Sequence, residues 1–454
     1  MRGTLSGFTS LAATVVALGM SSVPTLARAC PSGKDAARCG DTPDFLLEQP
    51  LLIGNAWRNG RAEVDVGQGM LGQMSPEGIE WLADRGIQLF GWYMVALQGN
   101  PVGGLQRAVR YTGLLDFGID VDLETMAEIK GLWVHVSGSW TSGIDLTADV
   151  GAFAPVNAVF SGDTIRLFEM YLEERILDDR LSIRVGRISV GWEYGLEYDY
   201  FTQYVSAAFR LNVFALDASD PNFSVIPFAN WGARLRWTPN ERWRVQASWM
   251  NGFPRDFTED DRHGVDFSFQ PTKGSFFILE ASYQWVPTKR QRRATPGRLP
   301  GRITFGGYYD TGTFERLDDP ASSEKVLGKA YVILRQKVWE PGLASDRGIV
   351  LWTAASAGGK QSIIPLPHFW SGGLVWTGPG RRLPDDVLAL GFANEFFSKA
   401  LADQSVEVVL EGAYSFNLTT WLTITPDLQY IIRPSGMKSI DNAFLAGVLL
   451  YLTF

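Results

Sequence analysis

The C-terminal segment from Ala443 to Phe454 reads AFLAGVLLYLTF, and it decides the fold class. Every second residue of this segment is apolar, and the chain ends on an aromatic ring: Phe444, Ala446, Val448, Leu450, Leu452 and Phe454. A period of two places these residues on one face of a strand. A continuous apolar face that ends in phenylalanine is typical of the closing strand of a transmembrane β-barrel.

The two segments before it alternate in the same way. From Trp421 to Ile432, apolar residues alternate with threonine, aspartate and glutamine, and Val406 to Leu418 repeats the pattern. Traced back along the chain, the alternation predicts sixteen strands: 87–97, 109–122, 132–141, 165–175, 181–191, 230–237, 243–252, 275–285, 302–312, 329–339, 348–358, 368–378, 387–397, 406–418, 421–432 and 442–454. The sequence therefore predicts an all-β fold, an outer-membrane barrel of about sixteen antiparallel strands.

The lengths of the predicted connections support a barrel. Connections at one end are short, for example 177–180, 238–242 and 419–420, whereas the long connections 142–164 and 192–229 fall at the other end. Outer-membrane barrels have short periplasmic turns and longer extracellular loops. The basic, proline-rich connection 286–301 breaks this rule, because it is long and lies on the side expected to be periplasmic.

The N-terminus predicts export. Arg2 precedes an apolar stretch from Leu11 to Met20, and the small-residue pattern Ala27-Arg28-Ala29 follows, so residues 1–29 are expected to be a secretory signal peptide. The apolar stretch is too short to span a bilayer. Lipidation of Cys30, the first residue of the expected mature chain, is an alternative that Arg28 disfavours. Export without a membrane-spanning helix leaves the periplasm, the medium or the outer membrane as the location.

Residues 30–86 do not alternate, and we expect them to form a periplasmic segment ahead of the barrel domain, 87–454. Within this segment, the pair Ser75-Pro76 predicts the start of a short helix, and Gly86 predicts its end. Serine is a favoured residue before the first helical position, proline is tolerated in the first turn, and glycine commonly follows the last turn.

Composition excludes several classes of protein. Lys and Arg total 41 against 49 Asp and Glu, a formal net charge of −8, which makes a nucleic-acid partner improbable. The two cysteines, Cys30 and Cys39, exclude a disulfide scaffold. An oxidising compartment favours a local disulfide between them, with two free thiols as the alternative. His263 and His368 have no partners at ligand spacing and the chain has no phosphate-binding loop, so we expect neither metal nor cofactor.

Four stretches, in their order and spacing, resemble the carbohydrate-selective porins of the OprB type. They are Trp81 to Ile87 (WLADRGI), Leu172 to Gly191 (LEERILDDRLSIRVGRISVG), Asn230 to Pro239 (NWGARLRWTP) and Trp421 to Ile431 (WLTITPDLQYI). The resemblance implies a sixteen-stranded outer-membrane barrel that passes glucose and other small sugars passively. Small sugars and outer-membrane lipid are then the expected partners, and the barrel is expected to be a monomer or a homotrimer.

The long connection 192–229 is the predicted constriction loop. Its first residues are rich in aromatic rings and carboxylates, and those predicted to line the pore are Trp192, Glu193, Tyr194, Glu197, Tyr198 and Tyr200. Flat aromatic faces suit the apolar C–H side of a sugar ring, and loops commonly carry the selectivity of a scaffold. The alternative is that the rings pack the loop against the barrel wall or form a girdle.

Charged residues are predicted on the inward face of several strands. Arg234, Arg236 and Arg244 lie opposite the apolar face of their hairpin, and a guanidinium can donate several hydrogen bonds to sugar hydroxyls. Inward-facing carboxylates are predicted at Glu169, Glu280, Glu407, Glu411 and Asp427. The alternative is that these charges only brace the wall through pairs that cross the lumen.

Three other functions compete with a sugar porin. A general porin, or one for anions or organic acids, would have the same barrel. A barrel enzyme that hydrolyses lipid would use a His-x-Ser pair, and the sequence contains His135-Val136-Ser137. Such a pair must face lipid, whereas alternation places His135 and Ser137 inward, so we expect no enzyme. An envelope adhesion protein would form no channel.

Overall fold

The computed structural model of the protein describes residues 69–159, 162–195, 198–210, 212–252, 261–269, 274–287, 291, 297–343, 345–380 and 384–454. The expected signal peptide, the pair Cys30 and Cys39, and the pore-lining candidate Glu197 lie outside these described residues. The side chain of Tyr198 is also outside the description.

Sixteen antiparallel strands form one closed barrel in which each strand pairs with its neighbours in sequence. They are β1 (Ile87–Val102), β2 (Val109–Asp122), β3 (Leu132–Gly143), β4 (Thr164–Ile176), β5 (Leu181–Ile188), β6 (Asn230–Asn240), β7 (Trp243–Asn251), β8 (Ser275–Trp285), β9 (Gly301–Glu315), β10 (Ser323–Trp339), β11 (Gly348–Gly358), β12 (His368–Thr377), β13 (Val387–Phe396), β14 (Val406–Asn417), β15 (Leu422–Ile432) and β16 (Ala443–Thr453). The first and last strands close the barrel, since Tyr93 pairs with Leu452 on one side and with Leu115 on the other. The predicted fold class and all sixteen predicted strands are confirmed.

The predicted and observed bounds differ most at β10, which begins at Ser323 instead of 329. Its register with β9 shifts between Lys325 and Leu327, and Val326 between them has a φ of 70°. A bulge of this kind adds a residue to one strand and breaks the period of two on which the prediction depends. At β5 the prediction was too long, because a 3₁₀ turn at Val190–Trp192 leads the chain away from the wall.

Alternate residues point to opposite sides of the barrel wall, as predicted. On β6 the side chains of Arg234 and Arg236 are 1% and 3% exposed, whereas Leu235 and Trp237 are 47% and 51% exposed. The outward face is apolar on strand after strand, for example at Leu428 of β15. The inward face carries the polar and charged residues, which is the pattern of a transmembrane barrel.

In the described part of the chain, five short α-helices lie between the strands or before them. They are α1 (Met70–Met74), α2 (Pro76–Ala83), α3 (Leu123–Ala127), α4 (Thr147–Val150) and α5 (Tyr198–Phe201). The helix predicted after Ser75 is α2, with Pro76 in its first turn, although the Ser75 side chain makes no capping hydrogen bond. No helix among the described residues has the length and apolar character that crossing a membrane requires.

The buried core of the molecule lies inside the barrel. Two connections fold inward from the same end: residues 144–163, called here the β3–β4 loop, and residues 189–229, called the β5–β6 loop. Aromatic rings of the β5–β6 loop dominate the largest buried cluster, and they pack against inward-facing side chains of the wall such as Trp352 of β11 and Phe369 of β12. The wall therefore surrounds folded loop rather than an open cylinder.

Candidate functional site

The β5–β6 loop crosses the barrel interior from one wall to the other. Near its start, the Gly195 N–H donates to Glu280 of β8 over 2.8 Å. Farther along, the Val205 N–H donates to Glu411 of β14 over 2.6 Å. β8 and β14 lie far apart around the barrel, so a loop that contacts both must span the lumen. The loop predicted to fold inward occupies that position.

A cluster of arginines and glutamates holds the start of this loop. One oxygen of the Glu193 carboxylate lies 2.5 Å from the Arg236 guanidinium and 3.3 Å from Nε of Arg234. The other oxygen contacts the Arg184 guanidinium. Glu173 of β4 bridges the same set, at 3.2 Å from Arg184 and 3.4 Å from Arg234. All of these side chains are buried, so the loop is fixed to β4, β5 and β6 by charge-assisted contacts.

Strand register explains why these charges meet. Glu173 lies directly opposite Arg184, and Arg184 lies directly opposite Arg234, so one row of the sheet runs from carboxylate to guanidinium to guanidinium. Inward-facing residues on adjacent strands are close enough to interact in pairs. Two guanidiniums side by side repel each other, and Glu193 of the loop supplies the second carboxylate that the row lacks.

Glu193 is held in its charged form. Burial disfavours that form, but the guanidiniums of Arg184, Arg234 and Arg236 outweigh the burial, so the pKa of Glu193 lies below its ordinary value. A carboxylate with a lowered pKa stays ionised at neutral pH. Glu193 therefore keeps its negative charge among the three guanidiniums at neutral pH.

The tyrosines that follow do not offer faces to the lumen. Tyr194 has no exposed surface, and its hydroxyl lies 2.6 Å from Ser248 Oγ of β7. Tyr200 is equally buried, with its ring stacked over Trp352 at 6.4 Å and the Arg335 guanidinium above it at 5.2 Å. The expectation that these two rings line the pore is corrected, because a buried ring cannot touch a passing solute. Their contacts fit the alternative in which aromatic residues pack the loop against the wall.

Tyr204 anchors the far side of the loop. Its hydroxyl donates to the Leu390 carbonyl over 2.9 Å and receives the Trp352 indole N–H over 3.1 Å. The ring can approach β13 this closely because position 391 is glycine: a Cβ there would lie 2.9 Å from Tyr204 Cε1 and 2.6 Å from Phe209 Cε1. This glycine is thus required by the position of the loop.

The inward carboxylates predicted from sequence serve the loops. Glu169 accepts from Ser189 N–H, and Glu280 from Gly195 N–H, while Glu411 accepts from both Val205 and Ser206. Glu407 accepts from the backbone at three residues: Phe153, Ala154 and Ser435. Hydrogen bonds from backbone amides stabilise the charged form of a buried carboxylate. These residues therefore brace the folded loops, which was the alternative to solute contact.

Of the remaining predicted residues, Arg244 braces the barrel wall and Trp192 is partly exposed. Arg244 of β7 lies 3.6 Å from Glu280 and is buried within the same wall. Trp192, by contrast, keeps part of its surface exposed. Its ring meets Trp92 of β1 edge-on at 6.3 Å, and Trp92 in turn stacks with Tyr451 of β16 at 6.2 Å. Of the predicted aromatic residues whose side chains the structure describes, Trp192 alone keeps appreciable accessible surface.

A carboxylate accompanies this aromatic group. Asp116 of β2 pairs in register with Trp92 and accepts a hydrogen bond from its indole, while Asp116 Oδ1 has no partner among the described residues. The sequence analysis did not predict Trp92, Asp116 and Tyr451, because none of them belongs to a long loop or to a charged hairpin. Strand alternation alone could have found Trp92 and Asp116, because both lie on the inward face.

His135 lies on the inward face of β3, as predicted. Its Nδ1 is 2.7 Å from Asp120 Oδ1, and its ring is stacked between Phe90 at 5.4 Å and Tyr171 at 4.5 Å. Ser137, two residues on, is also inward and buried. A hydrolase of membrane lipid needs such a pair on the outward face, so the geometry is unsuited to that chemistry.

A closed membrane-type barrel narrowed by its own inward loops defines a porin. The family model of the carbohydrate-selective porins, OprB family, matches residues 106–454 of this chain. Porin B of Pseudomonas aeruginosa is 24% identical over 447 residues, which cover 89% of this chain and 95% of that protein. The putative porin QuiX of Acinetobacter baylyi is 19% identical over 449 residues, which cover 90% and 97%.

The solved structure of Pseudomonas putida OprB at high pH has a TM-score of 0.76 with this chain at 22% identity, and it covers 85% of this chain and 98% of that one. This likeness shows the shared fold. The match to the family model extends over most of the sequence, and the chain belongs to the carbohydrate-selective porin family, OprB. It is an outer-membrane porin, and its relatives are channels rather than enzymes. The predicted family, function and location are confirmed.

Proposed function

We propose that the channel admits glucose-like sugars by passive diffusion past the exposed face of Trp192, with the β5–β6 loop setting the selectivity. The observation that carries this proposal is the path of the loop, which crosses the lumen and is anchored on both walls through Glu193 and Glu411. A loop fixed at both sides gives a passage of constant width, which selection by size and contact requires.

The aromatic group supplies the contacts expected for a sugar. Trp192 and Tyr451 are partly exposed, and their rings can cover the apolar C–H face of a pyranose. Flat apolar surfaces of this kind favour a neutral polyhydroxylated ring over a simple ion.

Single-channel conductance tests this role. We expect glucose to block the ion current of the purified protein in a saturable way, and Trp192→Ala to weaken that block about 2- to 10-fold, the size of one aromatic contact. Trp237→Ala is the matched control, because Trp237 points outward on β6 and its loss should leave the block unchanged. Equal block in the wild type and in Trp192→Ala would refute the contact.

A second candidate function is transport of anions or organic acids. The cluster on β4 to β6 favours it, because four guanidiniums there face two carboxylates, and the excess is positive: Arg175, Arg184, Arg234 and Arg236 against Glu173 and Glu193. The reversal potential in a salt gradient separates the two functions. Strong anion preference without glucose block would favour the anion porin.

We further propose the arrangement of the chain in the membrane. The exposed apolar outward face contacts lipid, and the end of the barrel where β1 begins and β16 ends faces the periplasm. Residues 1–29 are then the signal peptide and 30–86 a periplasmic segment. Cysteines introduced at Asp178 and at Asp319, which lie in connections at opposite ends, should label from opposite sides of the membrane. Light scattering in detergent would decide between monomer and homotrimer.

We also infer that the barrel has no hydrolytic activity toward lipid, since His135 and Ser137 are turned away from the outward face. His135→Ala should leave both phospholipid turnover and glucose block at the wild-type level. A loss of measurable lipid hydrolysis in this variant would contradict the inference.

A further inference from the structure

Two aspartates meet where the β5–β6 loop returns to the wall. Asp220 belongs to the loop and Asp310 to β9, and neither has exposed surface. Asn222 joins them: its backbone N–H donates to Asp220 Oδ1 over 2.9 Å, and its side-chain Nδ2 donates to Asp310 Oδ2 over 2.7 Å. The Gly312 N–H donates to the other oxygen of Asp310 over 2.6 Å. These contacts define the site discussed here, called the return site.

Buried oxygens at the return site lack donors. Asp220 Oδ2 and Asn222 Oδ1 are both buried, and neither has a hydrogen-bond partner among the residues that the structure describes. Asn222 itself is only 5% exposed, and its amide rests on Asp310. The rings of Phe223, Phe276 and Tyr308 pack together beside the site, at 5.2 to 6.2 Å between centroids. The surroundings therefore offer little solvation for charge.

The return site differs from Glu411 and Glu407, two other buried carboxylates of the lumen. Glu411 uses both oxygens to accept backbone amides, and Glu407 accepts three. Asp220 accepts one amide and keeps a bare oxygen, with a second carboxylate close by. No arginine or lysine among the described residues forms an ion pair with Asp220 or Asp310. Two neighbouring carboxylates in an apolar setting cannot both stay ionised without a counter-charge.

Because both carboxylates are buried and neither has a counter-charge among the described residues, the pair must retain a proton or take up a cation. The oxygens present are carboxylate and amide oxygens, which are the ligands that Ca²⁺ accepts in flexible geometry, with water completing its shell. The amide of Asn222 can present its oxygen to the site by rotation, since its O and N assignments are interchangeable in shape.

We propose that Asp220, Asp310 and the side-chain amide of Asn222 bind a calcium ion, which fastens the returning β5–β6 loop to β9. The described residues contain no group of three or more His, Cys, Asp or Glu arranged to hold a metal. The amide oxygen is therefore an essential third ligand. The ion compensates both aspartates at once.

Terbium luminescence tests the proposal on the full chain, refolded in detergent free of lipopolysaccharide and stripped with chelator. Terbium replaces calcium, and the Tyr308 ring at the site can transfer excitation to it. We expect one saturable site from which Ca²⁺ displaces terbium, and a loss of affinity of about 10- to 100-fold or more in Asp220→Asn. Asp318→Asn is the matched control, because Asp318 is an exposed carboxylate paired with Arg316.

Further variants keep the test decisive. Tyr308→Phe should lower the sensitised emission and leave Ca²⁺ competition intact, which locates the ion beside that ring. Asn222→Asp should tighten binding if the amide is a ligand, whereas a proton-sharing pair would be destabilised by a third acid. Heat-modifiability on gels shows that each variant is folded. Folded wild type without a Ca²⁺-displaceable signal, or an unchanged signal in Asp220→Asn, overturns the proposal.

Discussion

Opposite walls of the barrel hold the same loop by different means. On the β4 to β6 side, side chain meets side chain, with Glu193 of the loop among three arginines. On the β14 side, a wall carboxylate meets backbone, with Glu411 accepting the N–H groups of Val205 and Ser206. The first attachment depends on the identity of a loop residue, and the second depends only on the loop's path. An ion pair also fails more severely than a backbone contact when one partner is removed.

Glu193→Gln should therefore have the largest effect. It leaves the guanidiniums of Arg184, Arg234 and Arg236 buried beside a neutral amide, and breaking a buried ion network in this way costs about 3–5 kcal/mol. We expect a lower unfolding temperature and a larger, noisier conductance as the loop start loosens. Glu241→Gln, at an exposed position between β6 and β7, is the control. Unchanged conductance in a folded Glu193→Gln protein would contradict the claim that ion pairs of Glu193 hold the start of the loop at this wall.

The contribution of Glu193 should depend on pH. Its pKa is lowered in the folded protein, so the stabilisation is fully present above the pKa of an unfolded glutamate. It is lost as pH falls through the lower folded pKa. The stability difference between wild type and Glu193→Gln should accordingly be constant near neutrality and shrink in acid. A difference that grows on acidification would contradict the assignment.

Glu411→Gln should have a smaller effect. Glutamine retains one acceptor oxygen for the backbone of Val205 or Ser206, and loss of a hydrogen bond to a charged group costs about 1.5–3 kcal/mol. Denaturant titration of Glu411→Gln beside Glu193→Gln measures this ranking directly. If the two variants are equally destabilised, the distinction between identity-dependent and path-dependent attachment fails.

Gly391→Ala probes the same side through shape instead of charge. The added methyl group would meet Phe209 and Tyr204 at less than 3 Å, and overpacking of this kind costs about 1–3 kcal/mol. Gly412→Ala on the next strand is the matched control, since its Cβ would meet only Leu390 Cδ2, at 3.2 Å. We expect a lower unfolding temperature for the first variant alone. Equal loss in both would point to strand propensity instead of loop contact.

Most of the barrel wall could be predicted from the sequence, but little of the barrel interior could. Alternation located every strand, because inward and outward residues differ in polarity, and its bounds were least accurate at the bulge around Val326. It also placed Glu411 and Arg234 inward. It could not show that Glu411 would accept amides from residues 205 and 206, since a backbone N–H is the same in every residue type except proline.

The aromatic residues illustrate a second limit. A run of rings in a long loop is compatible with solute contact and with packing, and only the structure separates the half-buried Trp192 from the fully buried Tyr194 and Tyr200. Conversely, nothing in the sequence distinguishes Asp220 from other polar residues of the loop. Its importance arises from Asp310, which lies far along the chain and becomes a neighbour only when the barrel is formed.

The pairing of β1 with β16 also sets an order on assembly. The residues around Tyr93 are made before the other strands and their partners around Leu452 are made after them, so the ring of strands cannot close until β16 has been made. Until then, two unpaired strand edges are exposed, and such edges invite pairing with other chains. The unclosed chain is thus the form most prone to aggregate, and deletion of the C-terminal strand would make that vulnerable state permanent.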